Sequence, residues 1–438
     1  MEKNNKLNII SFWQFLPLQG EVSASPDKSI SHRALVLASI ANGTTKITNL
    51  LESKDIFSTL KALANLGVKV YKLHSEYYVD GVGIKGLNKP KNAINVGNSG
   101  TSLRLLMGLL APFSFKSFFY GDQSLSSRSN QHVIKMLENL GVVFEHDDYK
   151  APLLMKGNNN ILNSEYEPLS PSAQLKSAFI LVSINAPGTS VYYEAIPTRD
   201  HTENLLKYLD YPIKTEDSKI IIEGDCQFDA KDIEVPGDVS SSLFLIVAAL
   251  IIPDSEITIR NICYNPRRFK AIEILQKMGG NITIINESNV IYEKTVDIVI
   301  KHSVLKAFQT EASDFADLID EYPILSVAAA CSKGKSVFKG LLGLRNKETD
   351  RLMAICNNLN KMGIDAEIIG DNLEITGGSP KGGVLIDSEY DHRLAMSFGI
   401  LSMISKDKVR IKTYDMISTS YPGFFDDIKK LGGSYTSF

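Results

Sequence analysis

The chain has 438 residues, of which 44% are hydrophobic and 22% charged, and its formal net charge is −3. This length suits two or three well-filled domains, and the composition is that of a soluble globular protein. A charge so close to zero excludes a general binder of nucleic acid, so any anionic ligand needs a local cluster of lysine and arginine. No apolar run reaches the roughly 18 residues of a transmembrane helix, and Met1 to Trp13 lack a signal-peptide core.

The cysteines give no sign of a disulfide framework or a zinc site. Cys226, Cys263, Cys331 and Cys356 are scattered, with no CxxC pair and no histidine at a zinc-binding spacing. We interpret them as free thiols in a reducing cytoplasm.

Six segments of the chain share one pattern: polar, turn-like residues, then a helix-length apolar run, then a short run rich in β-branched and aromatic residues. We call the six predicted apolar helices the leading helices. They begin near Ser31, Thr101, Ala173, Ser241, Tyr322 and Arg393. Successive starts are 70, 72, 68, 81 and 71 residues apart, and such regularity indicates an internal structural repeat.

A strand and a second helix follow each leading helix. The predicted strands are Lys46–Leu50, Ser117–Tyr120, Ser190–Glu194, Glu256–Arg260, Ser336–Lys339 and Val409–Lys412. The second helices are amphipathic, and five of the six are expected to stop at a glycine: Gly67, Gly141, Gly279, Gly363 and Gly432. The third copy reads Leu209-Asp210-Tyr211 instead.

Each repeat therefore reads strand–helix–strand–helix–strand–strand, which predicts an α/β protein of two domains with three βαβαββ repeats each, six in total. We place the first domain at residues 24–235 and the second at residues 1–23 plus 236–438. The strand predicted at Leu7–Leu16 is left over at the N-terminus. We expect it to complete the sixth repeat, in the second domain.

Polar groups suited to anions gather where the helices of the first half begin. Lys28, Ser29 and Arg33 lie within about one turn of a helix start, where backbone N–H groups also favour anions. Lysine offers a point charge to phosphate, and arginine can hold a carboxylate with two parallel bonds. A solvated helix cap is the alternative for this motif. Gly100 follows a glycine turn that allows close approach of a ligand, and Arg128 lies in a polar loop.

The second half adds carboxylates to its cations. Asp320 opens a strongly apolar helix, where it could also serve simply as a cap. Lys347, Glu348 and Arg351 open another helix, where mixed charge could equally form a surface ladder. Arg393 follows Asp391-His392 at the sixth leading helix.

Seven strings occur in order across nearly the whole chain: DKSISHR, GNSGT, SAQ, RDHTE, LIDEYPIL, KETDR and DHRLAM. Together they resemble the motifs of the 5-enolpyruvylshikimate-3-phosphate (EPSP) synthases, or 3-phosphoshikimate 1-carboxyvinyltransferases. The SAQ and RDHTE forms resemble the variant common in many bacteria. The resemblance implies an inside-out α/β barrel of two domains, with the active site in the cleft between them.

The resemblance also implies an activity. Such an enzyme transfers the enolpyruvyl group of phosphoenolpyruvate to the 5-hydroxyl of shikimate 3-phosphate through a tetrahedral ketal, in the shikimate pathway to chorismate and the aromatic amino acids. It implies a cytoplasmic enzyme with two small-molecule substrates and neither a metal nor an organic cofactor. We expect a monomer that binds no nucleic acid and no membrane.

Roles are carried over position by position. The residues that match shikimate 3-phosphate contacts are Lys28, Ser29, Arg33, Ser172, Ala173, Gln174, Thr198, Arg199, Asp320 and Lys347. Those that match phosphoenolpyruvate contacts are Lys28, Gly100, Gln174, Arg128, Arg351 and Arg393. Asp320 and Glu348 match the proton-transfer carboxylates, and Lys28 also counts as catalytic. Alanine at the position of Gly100 is associated with glyphosate resistance in this family, so glycine here predicts sensitivity.

Three positions depart from the family pattern. Ser25-Pro26 stands where Pro-Gly is usual, Thr419 where a lysine is expected, and Gly343 where a polar residue is expected. Two alternative functions stay open. One is a UDP-N-acetylglucosamine enolpyruvyl transferase, which shares the repeat and typically carries a reactive cysteine, or an aspartate, in the loop of the second repeat; the loop from Leu110 to Arg128 has no cysteine. The other, suggested by Thr419 and Ser25-Pro26, is a catalytically weak metabolite-binding relative.

Overall fold

All six predicted leading helices are present in the computed structural model, which describes residues 8–13, 16–289 and 292–437. They span Lys28–Ile40, Gly100–Leu110, Ala173–Ser183, Val239–Ile251, Tyr322–Ala330 and His392–Ser402. The first and fourth start two to three residues earlier than predicted, because Asp27 and Asp238 cap them. Their side chains accept from the backbone N–H groups of Ile30 and Ser240.

The second helices span Lys54–Asn65, Gln131–Asn139, His201–Tyr208, Pro266–Lys277, Arg351–Lys361 and Phe424–Lys430. The five predicted stop glycines all have positive φ, from +78° to +94°. In the third copy Asp210 takes the same left-handed conformation, with φ of +55°. Aspartate tolerates this region better than most residues, so the missing glycine does not change the chain path.

The described residues form six four-stranded sheets, one for each repeat. In every sheet the first two strands are parallel and the remaining neighbours are antiparallel. The first three sheets, in spatial order, are Ile233–Glu234, Asn42–Thr48, Glu76–Val82, Lys69–Leu73; Ile94–Asn95, Lys116–Tyr120, Lys150–Lys156, Val143–Asp147; and Glu165–Tyr166, Gly188–Tyr193, Lys219–Gly224, Ile213–Glu216. The other three are Gln19–Ser23, Glu256–Cys263, Lys294–Lys301, Asn281–Asn289; Gln309–Thr310, Lys335–Phe338, Asn372–Thr376, Asp365–Ile369; and Leu385–Asp387, Arg410–Lys412, Ile9–Trp13, Ser434–Ser437.

Shorter helices lie in the connections. Two are α-helical, Gln123–Ser127 and Phe315–Leu318, and three are 3₁₀ turns, Ala312–Asp314, Leu342–Asn346 and Tyr414–Thr419.

The chain divides into two compact units. The first unit is Pro26–Pro236 together with Tyr292 and Glu293, and the second unit holds the described residues up to Ser25, Gly237–Asn289, and those from Lys294 onward. Nothing in the sequence indicated that Tyr292 and Glu293 belong with the first unit. The Tyr292 ring lies 5.5 Å from that of Tyr208, and its hydroxyl donates to the backbone of Glu234.

Leading helices form the core of each unit, and sheets surround them, which is the expected inside-out arrangement. Every residue of Val239–Ile251 is buried, as its apolar sequence on all sides requires. The leading helices of one unit contact one another directly. At Gly108 a β-carbon would lie 2.5 Å from the carbonyl oxygen of Ala178, so this glycine allows two leading helices to approach closely.

Strands displaced along the chain complete three of the sheets. Ile9–Trp13 pairs with Arg410–Lys412 and Ser434–Ser437, so the N-terminal strand does complete the sixth repeat. Of the predicted strand Leu7–Leu16, residues 7, 14 and 15 lie outside the described residues. Gln19–Ser23 pairs with Glu256–Cys263 and heads the fourth repeat, whereas the two-residue strand Ile233–Glu234 heads the first.

Candidate active site

Lys28 opens the first leading helix beside a carboxylate. The side chain of Asp27, which is fully buried, accepts from Ile30 N at 2.8 Å and so fixes this helix start. Lys28 Nζ lies 3.2 Å from Asp55 Oδ2, and about a fifth of the lysine side chain remains exposed. Lys28 is therefore held at a helix N-terminus with its ammonium still accessible to an anion.

Arg33 is buried, and three hydrogen bonds to residues of the first and third repeats position it. Its Nε donates to Thr202 Oγ1 at 2.7 Å, Nη2 donates to Ser177 Oγ at 2.7 Å, and Nη1 donates to the backbone oxygen of Ser29 at 2.9 Å. Ser177 Oγ in turn donates to the carbonyl oxygen of Ala173. The structure thus brings Ser29 and Arg33 together with Ala173, which lies 140 positions after Arg33 in the sequence.

The glycine turn lies beside two arginines. A β-carbon on Gly100 would lie 3.3 Å from Arg104 Nη1 and 3.6 Å from Arg128 Nη1. Arg128 Nη2 donates to the carbonyl oxygen of Asn98 at 2.6 Å, which directs its guanidinium toward the turn. Gly100 and Arg128 therefore share one location, as their predicted common ligand requires.

Arg104 links this turn to Gln174. Its Nη1 donates to Gln174 Oε1, and Gln174 Nε2 donates to Thr101 Oγ1 at 2.9 Å. Arg104 Nε also donates to Asn130 Oδ1 at 3.1 Å. Arg104 and Thr101 together orient Gln174, one of the predicted ligand contacts.

Ser172 and Thr198 both contact the third leading helix, and Arg199 follows Thr198 in the sequence. Ser172 caps that helix by accepting from Leu175 N at 3.3 Å. Thr198 is buried, and both its backbone N–H and its hydroxyl donate to Glu194 Oε1, at 3.0 and 2.6 Å. Arg199 is partly exposed.

His32 is a buried residue of the first leading helix, between Lys28 and Arg33 in the sequence. Its Nδ1 is 2.8 Å from Thr59 Oγ1, and Thr59 Oγ1 is 2.7 Å from Ser102 Oγ. Burial holds the pKa of His32 well below its usual range, and the neighbouring charges of Lys28 and Arg33 lower it further.

A second cluster, in the second unit, collects residues from three motifs. Asp320 Oδ1 accepts from Lys347 Nζ at 3.2 Å and lies 3.4 Å from Arg351 Nη1. Glu348 Oε2 is 2.5 Å from Arg351 Nη2. Both predicted proton-transfer carboxylates therefore contact the same guanidinium.

Arg351 is 1% exposed and also binds Asp391, with 2.6 Å between Nε and Oδ2. Burial works against its charge, but Asp391, Glu348 and Asp320 together raise the pKa of Arg351 above the ordinary arginine value. The partly exposed Lys347 differs, because desolvation lowers its pKa more than Asp320 raises it. Arg351 is thus a permanent charge at the centre of the cluster.

Arg393 joins the cluster from the sixth repeat. Its Nη1 donates to the backbone oxygen of Asp320 at 2.7 Å and to Glu321 Oε2 at 3.0 Å. Glu321 is 2% exposed, and its other oxygen accepts from Ser240 Oγ. Asp320, Lys347, Glu348, Arg351 and Arg393 therefore form one contiguous cluster.

Two carboxylates of this cluster received no role from the sequence. Asp391 aligns Arg351, and Glu321 aligns Arg393. Asp391 is the first residue of the DHRLAM string, where an aspartate is typical of a helix cap, and it does accept from the N–H groups of Arg393 and Leu394. Glu321 follows Asp320 directly in the sequence, and only the structure shows that the two side chains point in different directions.

Two of the three departures have local structural explanations. Thr419 is buried, and its hydroxyl donates to the carbonyl oxygen of Met416 at 2.7 Å. At Gly343 a β-carbon would lie 2.6 Å from Phe315 Cζ, so Phe315 fills the space that a side chain would need. Ser25-Pro26 lies where the chain passes from the second unit to the first, and the Ser25 carbonyl oxygen accepts from Asp238 N at 2.6 Å.

One group of side chains has metal-ligating atoms close together. Asp200, His201 and Glu293 place one such atom each within 4.8 Å of one another. His201 Nδ1 lies 2.7 Å from Glu293 Oε1, which also accepts from Asn204. A direct hydrogen bond accounts for this pair without an ion. No helix in the described part of the chain is long and apolar enough to cross a bilayer.

Comparison with known proteins identifies the relatives of this chain. The family model for EPSP synthase (3-phosphoshikimate 1-carboxyvinyltransferase) matches residues 14–428. The chain is 39% identical over 416 residues to a 3-phosphoshikimate 1-carboxyvinyltransferase of Vesicomyosocius okutanii, with 95% of this chain and 96% of the relative covered. A Legionella pneumophila (strain Lens) protein of the same description is 39% identical over 408 residues, covering 93% and 94%. The solved structure of EPSP synthase from Acinetobacter baumannii superposes with a TM-score of 0.86 at 34% identity, covering 98% of this chain and 99% of that one.

Proposed function

Because this chain belongs to the EPSP synthase family, as its motifs predicted, we propose that two clusters divide the binding and proton transfer of one reaction between them. The first cluster is the group of predicted ligand contacts in the first unit, around Lys28, Arg33, Gly100, Arg128 and Gln174, and the second is the cluster around Arg351. The reaction itself is that of the family: enolpyruvyl transfer from phosphoenolpyruvate to shikimate 3-phosphate, in the biosynthesis of aromatic amino acids. The assignment of individual residues to the two substrates is our proposal.

Shikimate 3-phosphate is held mainly by the first unit. Lys28 and Arg199 offset the negative charge of its phosphate. Ser29 and Arg33 bind the same substrate from the start of the first leading helix. The backbone and side chains of Ser172, Ala173 and Gln174 contact the ring substituents. Support comes from the contacts of Arg33, which connect the first and third repeats at hydrogen-bond distance. Lys347 and Asp320 complete the set from the second unit.

Phosphoenolpyruvate is held by arginines of both clusters. Arg128 beside Gly100, with Gln174 and Lys28, supplies one set of donors, and Arg351 with Arg393 supplies the other. Guanidinium groups suit this ligand because they grip carboxylate and phosphate with paired bonds. Both arginines of the second unit are fixed by buried carboxylates, so they are preorganised for an anion.

The carboxylates move the protons. The 5-hydroxyl of shikimate 3-phosphate attacks C2 of phosphoenolpyruvate and loses its proton to a carboxylate, while C3 gains a proton. The tetrahedral ketal then expels phosphate from C2, and C3 returns a proton, which restores the double bond and forms the enolpyruvyl ether. Asp320 and Glu348 serve as the acid and base, and Arg351 and Lys28 stabilise charge on the departing phosphate.

One observation carries this assignment: Asp320 and Glu348, which precede the leading helix and the second helix of the fifth repeat, both lie within 3.4 Å of Arg351. The experiment is an assay of phosphate release from phosphoenolpyruvate, run with shikimate 3-phosphate and in parallel with UDP-N-acetylglucosamine. We expect release only with the first acceptor, and its loss in the Glu348→Gln variant. Release with the second acceptor, or full activity of that variant, contradicts the assignment.

We further propose that the enzyme acts as a monomer in the cytoplasm. Each cluster is built from residues of one chain, which supports the monomer. Light scattering coupled to gel filtration, with both substrates present, tests this; a dimer mass contradicts it.

A further inference from the structure

A lysine ammonium group is buried between two carboxylates in the first unit. Lys176 lies on the third leading helix, and its side chain is 0% exposed. Its Nζ is 2.9 Å from Glu194 Oε1 and 2.7 Å from Glu203 Oε1, and the Glu203 side chain is 2% exposed. No step of the reaction above uses any of these three residues.

Such a cluster is expensive to bury and is not required to fill a core. Removing charged groups from water costs several kcal/mol for each ion, and apolar side chains of similar volume are often as stabilising. Burial also raises the pKa of Glu203, despite the neighbouring ammonium of Lys176. Core packing alone therefore does not explain this cluster, and its function lies in the residues that these charges hold in place.

They hold Thr198 by all of its polar groups. Glu194 Oε1 accepts from Thr198 N at 3.0 Å and from Thr198 Oγ1 at 2.6 Å. Lys176 Nζ donates to the carbonyl oxygen of Thr198 at 3.4 Å. Because the hydroxyl proton of Thr198 is directed at Glu194, it is not directed at a ligand.

The same ammonium fixes both ends of the loop that carries Arg199. Glu194 follows the strand Gly188–Tyr193, and Glu203 lies in the first turn of the helix His201–Tyr208. The residues between Glu194 and His201 have no regular hydrogen-bonded structure of their own. Arg199 is partly exposed and directly follows the anchored Thr198.

We propose that Lys176, Glu194 and Glu203 are positioning residues that hold this loop so that Arg199 meets the phosphate of shikimate 3-phosphate. The inference rests on the proposed function, in which Arg199 contacts that phosphate. It also changes the role of Thr198, which serves the loop through Glu194 and not the phosphate through its hydroxyl.

The test is a double-mutant cycle with Glu194→Gln and Arg199→Ala, measured as the dissociation constant of shikimate 3-phosphate by calorimetry. Glu194→Gln keeps the shape of the side chain and removes its charge. We expect about tenfold weaker binding, the size of one lost hydrogen bond to a charged group. In the Arg199→Ala background the same change should have almost no further effect, because the loop then has no cation to present.

Steady-state kinetics of Glu194→Gln provide a second measurement. The KM for shikimate 3-phosphate should rise, while kcat at saturating substrate and the KM for phosphoenolpyruvate should stay near the unmodified values. Glu223→Gln is the matched control, because Glu223 accepts from the hydroxyl of Thr189 at 2.9 Å on the exposed face of the same sheet. It should leave every constant unchanged.

The outcomes separate the two proposals. The positioning role is overturned if the effects of Glu194→Gln and Arg199→Ala on the dissociation constant are additive. It is also overturned if Glu194→Gln lowers kcat and raises both KM values to the same extent. In either case the phosphate contact of Arg199 stands. Unchanged binding in Arg199→Ala alone overturns the contact itself, and the positioning role with it. If Glu194→Gln fails to fold, Thr198→Val takes its place in the cycle with the same expected non-additivity.

Discussion

Arg351 and Asp391 form a buried ion pair whose carboxylate also orders a second arginine. Arg351 Nε and Asp391 Oδ2 are 2.6 Å apart, and both side chains are at most 1% exposed. Asp391 Oδ1 accepts from the N–H of Arg393 at 2.8 Å. One carboxylate thus fixes the guanidinium of Arg351 and the start of the helix that carries Arg393.

Replacing Asp391 by Asn should therefore affect both folding and phosphoenolpyruvate binding. Breaking a buried pair by removing one charge typically costs about 3–5 kcal/mol of the free energy of unfolding, which urea titration measures. The KM for phosphoenolpyruvate should rise as well. Asp387→Asn, which removes the partner of the exposed Lys412, is the control and should cost less than about 1 kcal/mol. Equal costs for the two variants would contradict the structural account.

Removing basicity from the two proposed proton-transfer groups should slow turnover without unfolding the protein. Asp320→Asn and Glu348→Gln preserve shape, so each should lower kcat by roughly two to four powers of ten. Binding of shikimate 3-phosphate should survive in Glu348→Gln and fall modestly in Asp320→Asn. The exposed Asp365, which accepts from Thr376, provides a control as Asp365→Asn. Near-normal kcat in either variant would mean that the residue is structural and not a catalyst.

Lys28 and Arg33 should differ in what their loss does to stability. Lys28→Ala removes an ammonium group proposed to contact the phosphate, so binding of shikimate 3-phosphate should weaken by a few kcal/mol. Because the ion pair that is lost with Asp55 is partly exposed, the melting temperature should change little. Arg33→Ala also breaks three hydrogen bonds of a buried guanidinium, so it should lower both affinity and melting temperature. Calorimetry and thermal unfolding of the two variants provide the measurements. Unchanged affinity in both would remove them from the site.

Glyphosate sensitivity depends on the space at Gly100. We expect inhibition competitive with phosphoenolpyruvate, with an inhibition constant not far above the KM for that substrate. Gly100→Ala places a methyl group 3.3 Å from Arg104 Nη1 and 3.6 Å from Arg128 Nη1, so it should raise the inhibition constant more than the KM. An unmodified enzyme that resists glyphosate would indicate that Thr419, in place of the expected lysine, dominates.

His32 should make stability depend on pH below the ordinary histidine range. Its folded-state pKa is lowered, so the unfolded chain binds the proton first as the pH falls below about 6.5. The free energy of unfolding should then decrease with falling pH, by up to about 1.4 kcal/mol per pH unit from this group, and the contribution is complete above that range. Subtracting the pH profile of His32→Gln should isolate the slope. The exposed His132, as His132→Gln, is the control, and identical profiles for the two variants would contradict the assignment.

The repeat could be predicted from sequence because its signal is local and recurs. Apolar runs of helical length mark the leading helices, and glycines mark the ends of the second helices. The strands that head the first and fourth repeats could not be assigned, because Ile233–Glu234 has two residues and Gln19–Ser23 carries no regular apolar alternation. Such short strands are defined by their neighbours in the sheet and not by their own residues.

The candidate site shows the same limit at the level of side chains. Motifs named Asp320, Glu348 and Arg351, but they did not indicate that Arg351 bridges the two carboxylates while binding Asp391, 40 residues away. Likewise, Glu203 ends the RDHTE string and Lys176 lies two residues after SAQ, but neither string indicated that the two side chains are buried against each other, since they come from two different helices. The fold is needed to know which residues of different repeats pair with each other, whereas the polar residues at a helix start can be identified from the sequence.

The pairing of Ile9–Trp13 with strands of the sixth repeat sets an order of assembly. Ser11 Oγ donates to the carbonyl oxygen of Val409, a contact that spans 398 residues. During synthesis on the ribosome the first strand therefore emerges long before either of its partners exists. The three sheets of Pro26–Pro236 draw all their strands from within that range, so they can form while the rest of the chain is still being translated. The second unit must wait for its last repeat, and until then an apolar strand with unpaired edges stays exposed to chaperones and to other nascent chains.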